Sequence, residues 1–422
     1  MSDSTQGPSD RAQLLQQTQQ RYDALAAQGL ALDMTRGKPC TEQLALANAL
    51  LGSVNADDCV LEDGTDVRNY PGRVDGIGPA RALFAEFLEV AQDEVMVGGN
   101  SSLSMMHGVF RDLTLHGAGP DALPYCRHQR TRVLCPVPGY DRHFTICEYF
   151  GLEMIPVPMD DNGPLMDVVE KLVAEDPDIR AMWCVPKYSN PTGITYSDEV
   201  IARLAQMQTA APDFRIFFDN AYAVHHLYPR QDTLSPILPT FKAAGNADRA
   251  LIFGSTSKIS FAGGGVCALG ASRDNIAWFS TLTKTSMIGP DQINQLRHVR
   301  FFGDMQGIER HMQAHAEIIA PKFEAVSAGL TQALDGLDIA RWTVPNGGYF
   351  MSLTTPEGTA KRIVALAAEA GVKLTPAGAT HPGGHDPLDS TIRIAPTVPP
   401  IEDVVRATEL LGVCVKLAWL TQ

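Results

Sequence analysis

Lys258 closes the segment Gly254-Ser255-Thr256-Ser257-Lys258, directly after the apolar run Ala250 to Phe253. A lysine amine so placed can bond covalently to a carbonyl carbon and can carry a proton. Four other short apolar runs also end on polar or glycine-rich groups. Glu94 to Val97 leads into Gly98-Gly99-Asn100-Ser101-Ser102, and Arg132 to Cys135 into Pro136-Val137-Pro138-Gly139-Tyr140. Ala181 to Val185 leads into Pro186-Lys187-Tyr188-Ser189-Asn190-Pro191-Thr192-Gly193, and Arg215 to Phe218 into Asp219-Asn220-Ala221-Tyr222. Taken singly, each has a bland reading. Ser-x-Ser-Lys is a solvated loop, Asp219 a helix cap, and Asn190-Pro191-Thr192-Gly193 a turn. Their shared position outweighs those readings, because ligands of an open parallel sheet bind beyond the carboxyl ends of its strands. Five such ends converge on one crevice.

The residue types in that crevice match one cofactor, pyridoxal 5′-phosphate. It needs an amine for its aldehyde, an acid for its ring nitrogen, donors for its 3-oxygen, an anion site and a flat surface. Lys258 is the amine and Asp219 the acid partner. Asn190 and Tyr222 supply hydrogen bonds to the 3-oxygen, and Tyr140 supplies the flat surface. Gly99, Asn100 and Ser101 present backbone N–H groups where a helix begins, a natural phosphate site. Ser255 and Ser257 add hydroxyl donors.

The elements that must position these groups follow from apolar periodicity. Helices are expected from Arg11 to Ala27 (ended by Gly29), from Arg81 to Val90 and from Ser101 to Leu115. The five runs above and Val266 to Gly270 read as strands. They are short, apolar and not strictly alternating, as strands buried on both faces are. The expected fold class is α/β: a large domain with a mostly parallel, seven-stranded sheet between helices, plus a smaller α+β domain. In the tail, strands Gly347 to Leu353 and Ser390 to Ala395 flank a helix from Lys361 to Ala370. The expected large domain covers residues 51–315, and the small domain joins residues 1–50 to 316–422. Residues 1–10 are polar and expected to fray.

Composition bounds the function. At 422 residues the chain exceeds the roughly 250–300 at which single cores stop growing. A hydrophobic fraction of 45% and a charged fraction of 19% suit a large globular core. The net charge of -14 leaves no electrostatic footprint for nucleic acid or anionic lipid. The eight cysteines form no pattern of zinc spacing and read as buried free thiols; no metal is expected. The first residues, MSDSTQGPSDRAQ, have neither the basic nor the apolar region of a secretory signal. No apolar stretch approaches the ~20 residues of a membrane span. The expected location is the cytoplasm.

The ordered set Asn190-Pro191-Thr192-Gly193, Asp219-x-x-Tyr222 and Ser255-x-Ser257-Lys258 resembles the central motifs of the fold-type I pyridoxal-phosphate-dependent aminotransferases of class I. That resemblance covers nearly the whole chain. It implies that Lys258 carries the cofactor as a Schiff base and moves the substrate proton, and that Asp219 pairs with the pyridine nitrogen. It implies that Tyr222 and Asn190 tune the 3-oxygen, Tyr140 lies over the ring, and Arg393 clamps the substrate α-carboxylate. Gly37 resembles the glycine that closes over the substrate. Tyr70 resembles the tyrosine that reaches a neighbouring subunit's phosphate, which implies a homodimer with shared sites.

Met34-Thr35-Arg36-Gly37-Lys38-Pro39, Arg68-Asn69-Tyr70-Pro71-Gly72, Lys284-Thr285-Ser286-Met287-Ile288-Gly289-Pro290 and Gln295-Leu296-Arg297-His298-Val299-Arg300-Phe301 further resemble the subgroup Ic aspartate aminotransferases, whose domain is also fused in MocR-like regulators. On that resemblance the expected reaction moves the amino group of L-aspartate to 2-oxoglutarate, giving oxaloacetate and L-glutamate. Arg36, Lys38, Arg73, Lys284 and Arg297 are candidates for the cation that binds the aspartate side chain. The chain departs from the family at Val266, where an arginine usually binds the phosphate. Arg36, Lys38, Arg297 and Arg300 are the candidates to replace it. The competing readings are an aminotransferase for aromatic amino acids or alanine, a lyase on the same fold, and, weakest, a ligand-sensing regulator without catalysis.

Overall fold

The computed structural model describes residues 8–70 and 72–422, so the expectations for residues 1–7 and Pro71 lie outside it. Where the first described residues were expected to fray, a helix already runs from Pro8 to Ala26. Among the described residues the large sheet has eight strands rather than seven. Their spatial order is Val95–Val97, Cys267–Ala271, Ala250–Ser255, Arg215–Asp219, Ile179–Cys184, Arg132–Val137, Glu153–Asp160 and Gly163–Pro164. The five strands from Ala250–Ser255 to Glu153–Asp160 are mutually parallel. Cys267–Ala271 runs antiparallel to both of its neighbours.

The added strands escaped the periodicity for a physical reason. Glu153–Asp160 carries Pro156 and Pro158 and leaves most of its residues at least partly exposed, so it shows no apolar run. Proline is tolerated there because the strand lies near the sheet edge, where only the two-residue Gly163–Pro164 return pairs beyond it. The central strands Ile179–Cys184, Arg215–Asp219 and Ala250–Ser255 are buried at every position. Their side chains alternate between two cores. Met182, Cys184, Ile216, Phe218 and Ile252 join one with the helix Gly78–Leu88; Trp183, Phe217, Leu251 and Phe253 join the other with the helix Ser102–His116.

Helix Gly78–Leu88 starts three residues before its expected first residue, Arg81. Pro79 fits the first turn, where its missing N–H is not needed. A third core gathers Tyr22, Leu25 and Met34 with the helices Ala360–Glu369 and Ile401–Leu420 and the antiparallel strands Arg341–Trp342, Met351–Thr354 and Thr391–Ile394. The Tyr22 hydroxyl donates to the Leu366 carbonyl at 2.9 Å, and Leu32–Asp33 pairs with Val372–Lys373, so the first segment is built into this core. The helix Met305–Leu334 links two cores: Ile308 and Met312 pack in the first, Ile319 and Phe323 in the third. Among the described residues no helix is long and apolar enough to cross a membrane. All eight cysteines are free thiols; seven are buried as expected, but Cys126 is exposed.

Candidate active site

Two adjacent parallel strand ends bring the lysine and the acid together. Asp219 is the last residue of Arg215–Asp219, and Tyr222 follows it in the next turn. Lys258 sits in the turn after Ala250–Ser255. Its Nζ lies 4.9 Å from the centre of the Tyr222 ring. The Tyr349 hydroxyl donates to the Lys258 backbone carbonyl at 3.2 Å, tying the lysine turn to the third core.

Asp219 is 3% exposed, yet only one of its oxygens is engaged. Oδ2 bonds to His143 Nε2 at 3.0 Å, while Oδ1 is buried with no partner among the described residues. An orphaned carboxylate oxygen is costly unless a donor arrives. The His143 ring stacks on Trp183 at 4.3 Å with 7° between planes, and Tyr140 meets it edge-on at 5.0 Å. His143 was absent from the sequence-based set. Its signal was available: it lies three residues after Tyr140, on one face of the helix Asp141–Tyr149.

Tyr140 and Tyr222 remain phenols. Burial pushes Tyr140 up to about 12, against the lowering effect of the Lys258 charge. Burial, then the Asp219 charge, pushes Tyr222 higher still. Both are therefore O–H donors at neutral pH.

Gly99, Asn100 and Ser101 link the strand Val95–Val97 to the helix Ser102–His116, with Ser101 at the cap position. The Gly99 carbonyl accepts from the Cys267 N–H at 2.7 Å, which pins this loop to the sheet. Ser257 Oγ donates to the Asn100 carbonyl at 2.6 Å, so the loop and the lysine turn meet. Gly265 completes the cradle: a Cβ there would stand 2.9 Å from Ser257 N and Cα and 3.0 Å from the Asn100 carbonyl oxygen. Asn294 Nδ2 donates to the carbonyls of Gly264 and Gly265 at 2.9 and 3.0 Å. Ser255 is buried at its strand end.

Val266 faces the sheet core, so its position supplies no donor to this loop. Among the proposed substitutes, Arg300 is turned to Asp58, with Nη2 2.5 Å from its carbonyl. Arg297 keeps a buried Nε without a partner among the described residues. Arg36 and Lys38 are exposed on either side of Gly37.

Arg393 comes from the strand Thr391–Ile394 of the third core and is 7% exposed. Nη1 donates to Asn190 Oδ1 and Asp141 Oδ1, each at 3.3 Å, and Nη2 donates to Thr375 Oγ1 at 3.2 Å. Its guanidinium carbon lies 4.9 Å from the centre of the Phe350 ring. Phe350 in turn meets Tyr222 edge-on at 6.3 Å, linking the arginine to the lysine side of the site. Gly37 is required by this packing, since a Cβ there would come within 2.5 Å of Phe350 Cζ. Asp141, Thr375 and Phe350 carried no sequence signal, because each meets Arg393 from a different stretch of chain.

Tyr70 is 79% exposed and does not enter the cluster within one chain. Arg73 is occupied by Asp75, with contacts of 2.8 and 2.6 Å, and Lys284 is exposed. A cleft of about 1010 Å³ is lined by Gly193, Arg230, Asp232, Trp342 and Asn346 among others, but by none of Lys258, Asp219, Tyr222 or Arg393. Side-chain chemistry, not cavity size, locates the site.

Residues 6–422 match the family described as aspartate amino-transferase. The chain belongs to that family. It is 51% identical over 402 residues to a Mycolicibacterium smegmatis protein provisionally assigned as an aminotransferase, covering 95% of this chain and 94% of that one. It is 45% identical over 398 residues to a Corynebacterium glutamicum aspartate aminotransferase, covering 94% and 92%. The crystal structure of an aspartate transaminase from Corynebacterium glutamicum superposes with a TM-score of 0.96 at 43% identity, covering 99% of this chain and 98% of that one.

The protein is therefore an aminotransferase that depends on pyridoxal 5′-phosphate, and its substrates are amino acids and 2-oxo acids. Its residues fit the cofactor. The unpartnered Asp219 Oδ1 suits a protonated ring nitrogen, and the Gly265 cradle with the N-terminus of Ser102–His116 suits a phosphate.

Proposed function

We propose that this aminotransferase moves the amino group of L-aspartate to 2-oxoglutarate, giving oxaloacetate and L-glutamate, and that it is of the subgroup Ic type. The observation that carries the reading is the buried Arg393, set beside Asn190 and joined through Phe350 to the Tyr222–Lys258 pair. A cation there can fix an α-carboxylate while the lysine reaches the Cα. The name of the Corynebacterium glutamicum relative supports aspartate as donor. Arg36 and Lys38 flank Gly37, which packs on Phe350, and this favours that loop for the side-chain carboxylate. Arg73 is less suited because Asp75 already holds it.

When bound, pyridoxal 5′-phosphate supplies the electron sink for the bond broken at Cα. Lys258 holds the cofactor and then, as a free amine, takes the Cα proton at Nζ. Asp219 Oδ1 accepts the ring N–H, and His143 keeps the carboxylate oriented. The Tyr222 phenol and Asn190 donate toward the 3-oxygen, and Tyr140 covers the ring. Backbone N–H groups of Gly99, Asn100 and Ser101, with the hydroxyls of Ser255 and Ser257, hold the phosphate. Arg393 orients the substrate, and Gly37 closes over it.

The exposed Tyr70 suits a reach into a second copy of the chain, and we take the working unit to be a homodimer with shared sites. We divide each chain into a large domain, residues 51–315, and a small domain, residues 1–50 with 316–422. The passage of the helix Met305–Leu334 between cores supports that boundary. A steady-state comparison of donors tests the reaction. With 2-oxoglutarate as acceptor, kcat/KM for L-aspartate should exceed that for L-alanine and L-phenylalanine by at least about tenfold. Equal or reversed values would remove aspartate as the donor.

A further inference from the structure

Arg393 is buried, yet its polar contacts are long. Those to Asp141, Asn190 and Thr375 span 3.2–3.4 Å. Charge-assisted bonds of arginine to carboxylate usually close to about 2.7–2.9 Å. Less buried arginines of this chain do so with two prongs: the exposed Arg68 holds Asp66 at 2.9 and 2.7 Å, and the half-buried Arg203 holds Glu170 at 2.9 and 2.8 Å. The buried guanidinium is thus held less firmly than these more accessible ones, by one carboxylate oxygen.

Asp141 opens the helix Asp141–Tyr149, where the helix dipole alone would favour an acid. The dipole does not account for its ion pair, which spans 252 residues of sequence into the strand Thr391–Ile394. The pair is also asymmetric, with the Arg393 side chain 7% and the Asp141 side chain 36% exposed. Asp141 can turn to water; Arg393 cannot.

We propose that Asp141 is the resident carboxylate of the Arg393 site, and that substrates bind by exchanging their α-carboxylate for it. This rests on Arg393 being the substrate clamp. Asp141 is a positioning residue: it keeps the buried cation paired between turnovers and returns as product leaves. Binding free energy is then the difference between two carboxylates on one guanidinium, and an amine without a carboxylate cannot open the pair.

The test uses the full chain loaded with cofactor. Asp141→Asn should lower KM for L-aspartate about five- to tenfold without raising kcat. By calorimetry, it should tighten the unreactive ligands propionate and succinate by that same factor. Asp141→Ser should behave alike if the Asn variant loads poorly, and Asp141→Glu should keep the wild-type KM. In an Arg393→Ala background, Asp141→Asn should have no effect on either ligand.

Unchanged binding in Asp141→Asn, with weakened binding in Arg393→Ala, would overturn the exchange and leave the clamp standing. Tightening of succinate alone would overturn it as well, since Asp141 would then merely repel a second carboxylate. Unweakened binding in Arg393→Ala would remove the clamp itself.

Discussion

Asp219 and Arg393 are both buried charged groups close enough to act on Tyr222, but they are built differently. Asp219 ends a fully buried strand, and its partner His143 is locked by stacking on Trp183. Arg393 is met by Asp141, Asn190, Thr375 and Phe350, from four separate segments, at long distances. On the proposed roles, the cofactor end is fixed by one sheet and its covering helix. The proposed substrate end is assembled across cores and, on the exchange proposed above, is held so that partners can change. A group that stays through every turnover benefits from rigidity, whereas one that exchanges at each turnover must be releasable.

That contrast can be broken at either end. Asp219→Asn should give the larger effect, a fall in kcat of at least about a hundredfold with weaker cofactor retention. Dialysis followed by the residual visible absorbance reads the retention. A variant with near-normal kcat would show that the orphaned Oδ1 does not serve the ring nitrogen. Arg393→Ala should keep the cofactor but lower kcat/KM by roughly 30- to 1000-fold, mainly through KM. Loss of cofactor with normal KM would place Arg393 at the wrong end of the site.

A smaller effect sharpens the comparison through pH. Near the lysine turn, His315 is fully buried, with Nδ1 2.9 Å from Gln43 Nε2 and Nε2 3.1 Å from His311 Nε2. Burial, then the neighbouring His311, lowers its pKa from 6.5 to about 3. Between those values the unfolded chain binds a proton that the folded chain does not, so stability rises with pH there. Thermal unfolding should move to lower temperature as pH falls from about 6.5 toward 4, at up to about 1.4 kcal/mol per pH unit for this histidine. His315→Gln should flatten the slope; an equal slope in that variant would remove His315 as its source.

Much of this architecture was legible before the structure. Five strand ends, read from apolar runs, carried the lysine, acid, amide and phenol that the fold gathers. What stayed hidden has two physical causes. Glu153–Asp160 lacked an apolar run because two prolines and partial exposure erase the pattern of a buried strand. Thr375, Phe350 and Asp141 became site residues only through contacts between distant segments, which leave no local spacing to read. His143 is intermediate, since its i+3 relation to Tyr140 was visible but a lone histidine on a helix suggests nothing by itself. At Val266 the sequence showed a missing arginine, and the structure shows why nothing there replaces it: the side chain points into the core.

The most direct measurement follows the visible absorbance of the cofactor-loaded protein after L-aspartate alone is added, for wild type and Lys258→Ala. The account predicts that wild type loses the bound-aldehyde absorbance and releases one oxaloacetate per site without any acceptor, while Lys258→Ala folds normally but releases none. Oxaloacetate release by Lys258→Ala at the wild-type rate would contradict the assignment of Lys258 as the residue that holds the cofactor and moves the proton.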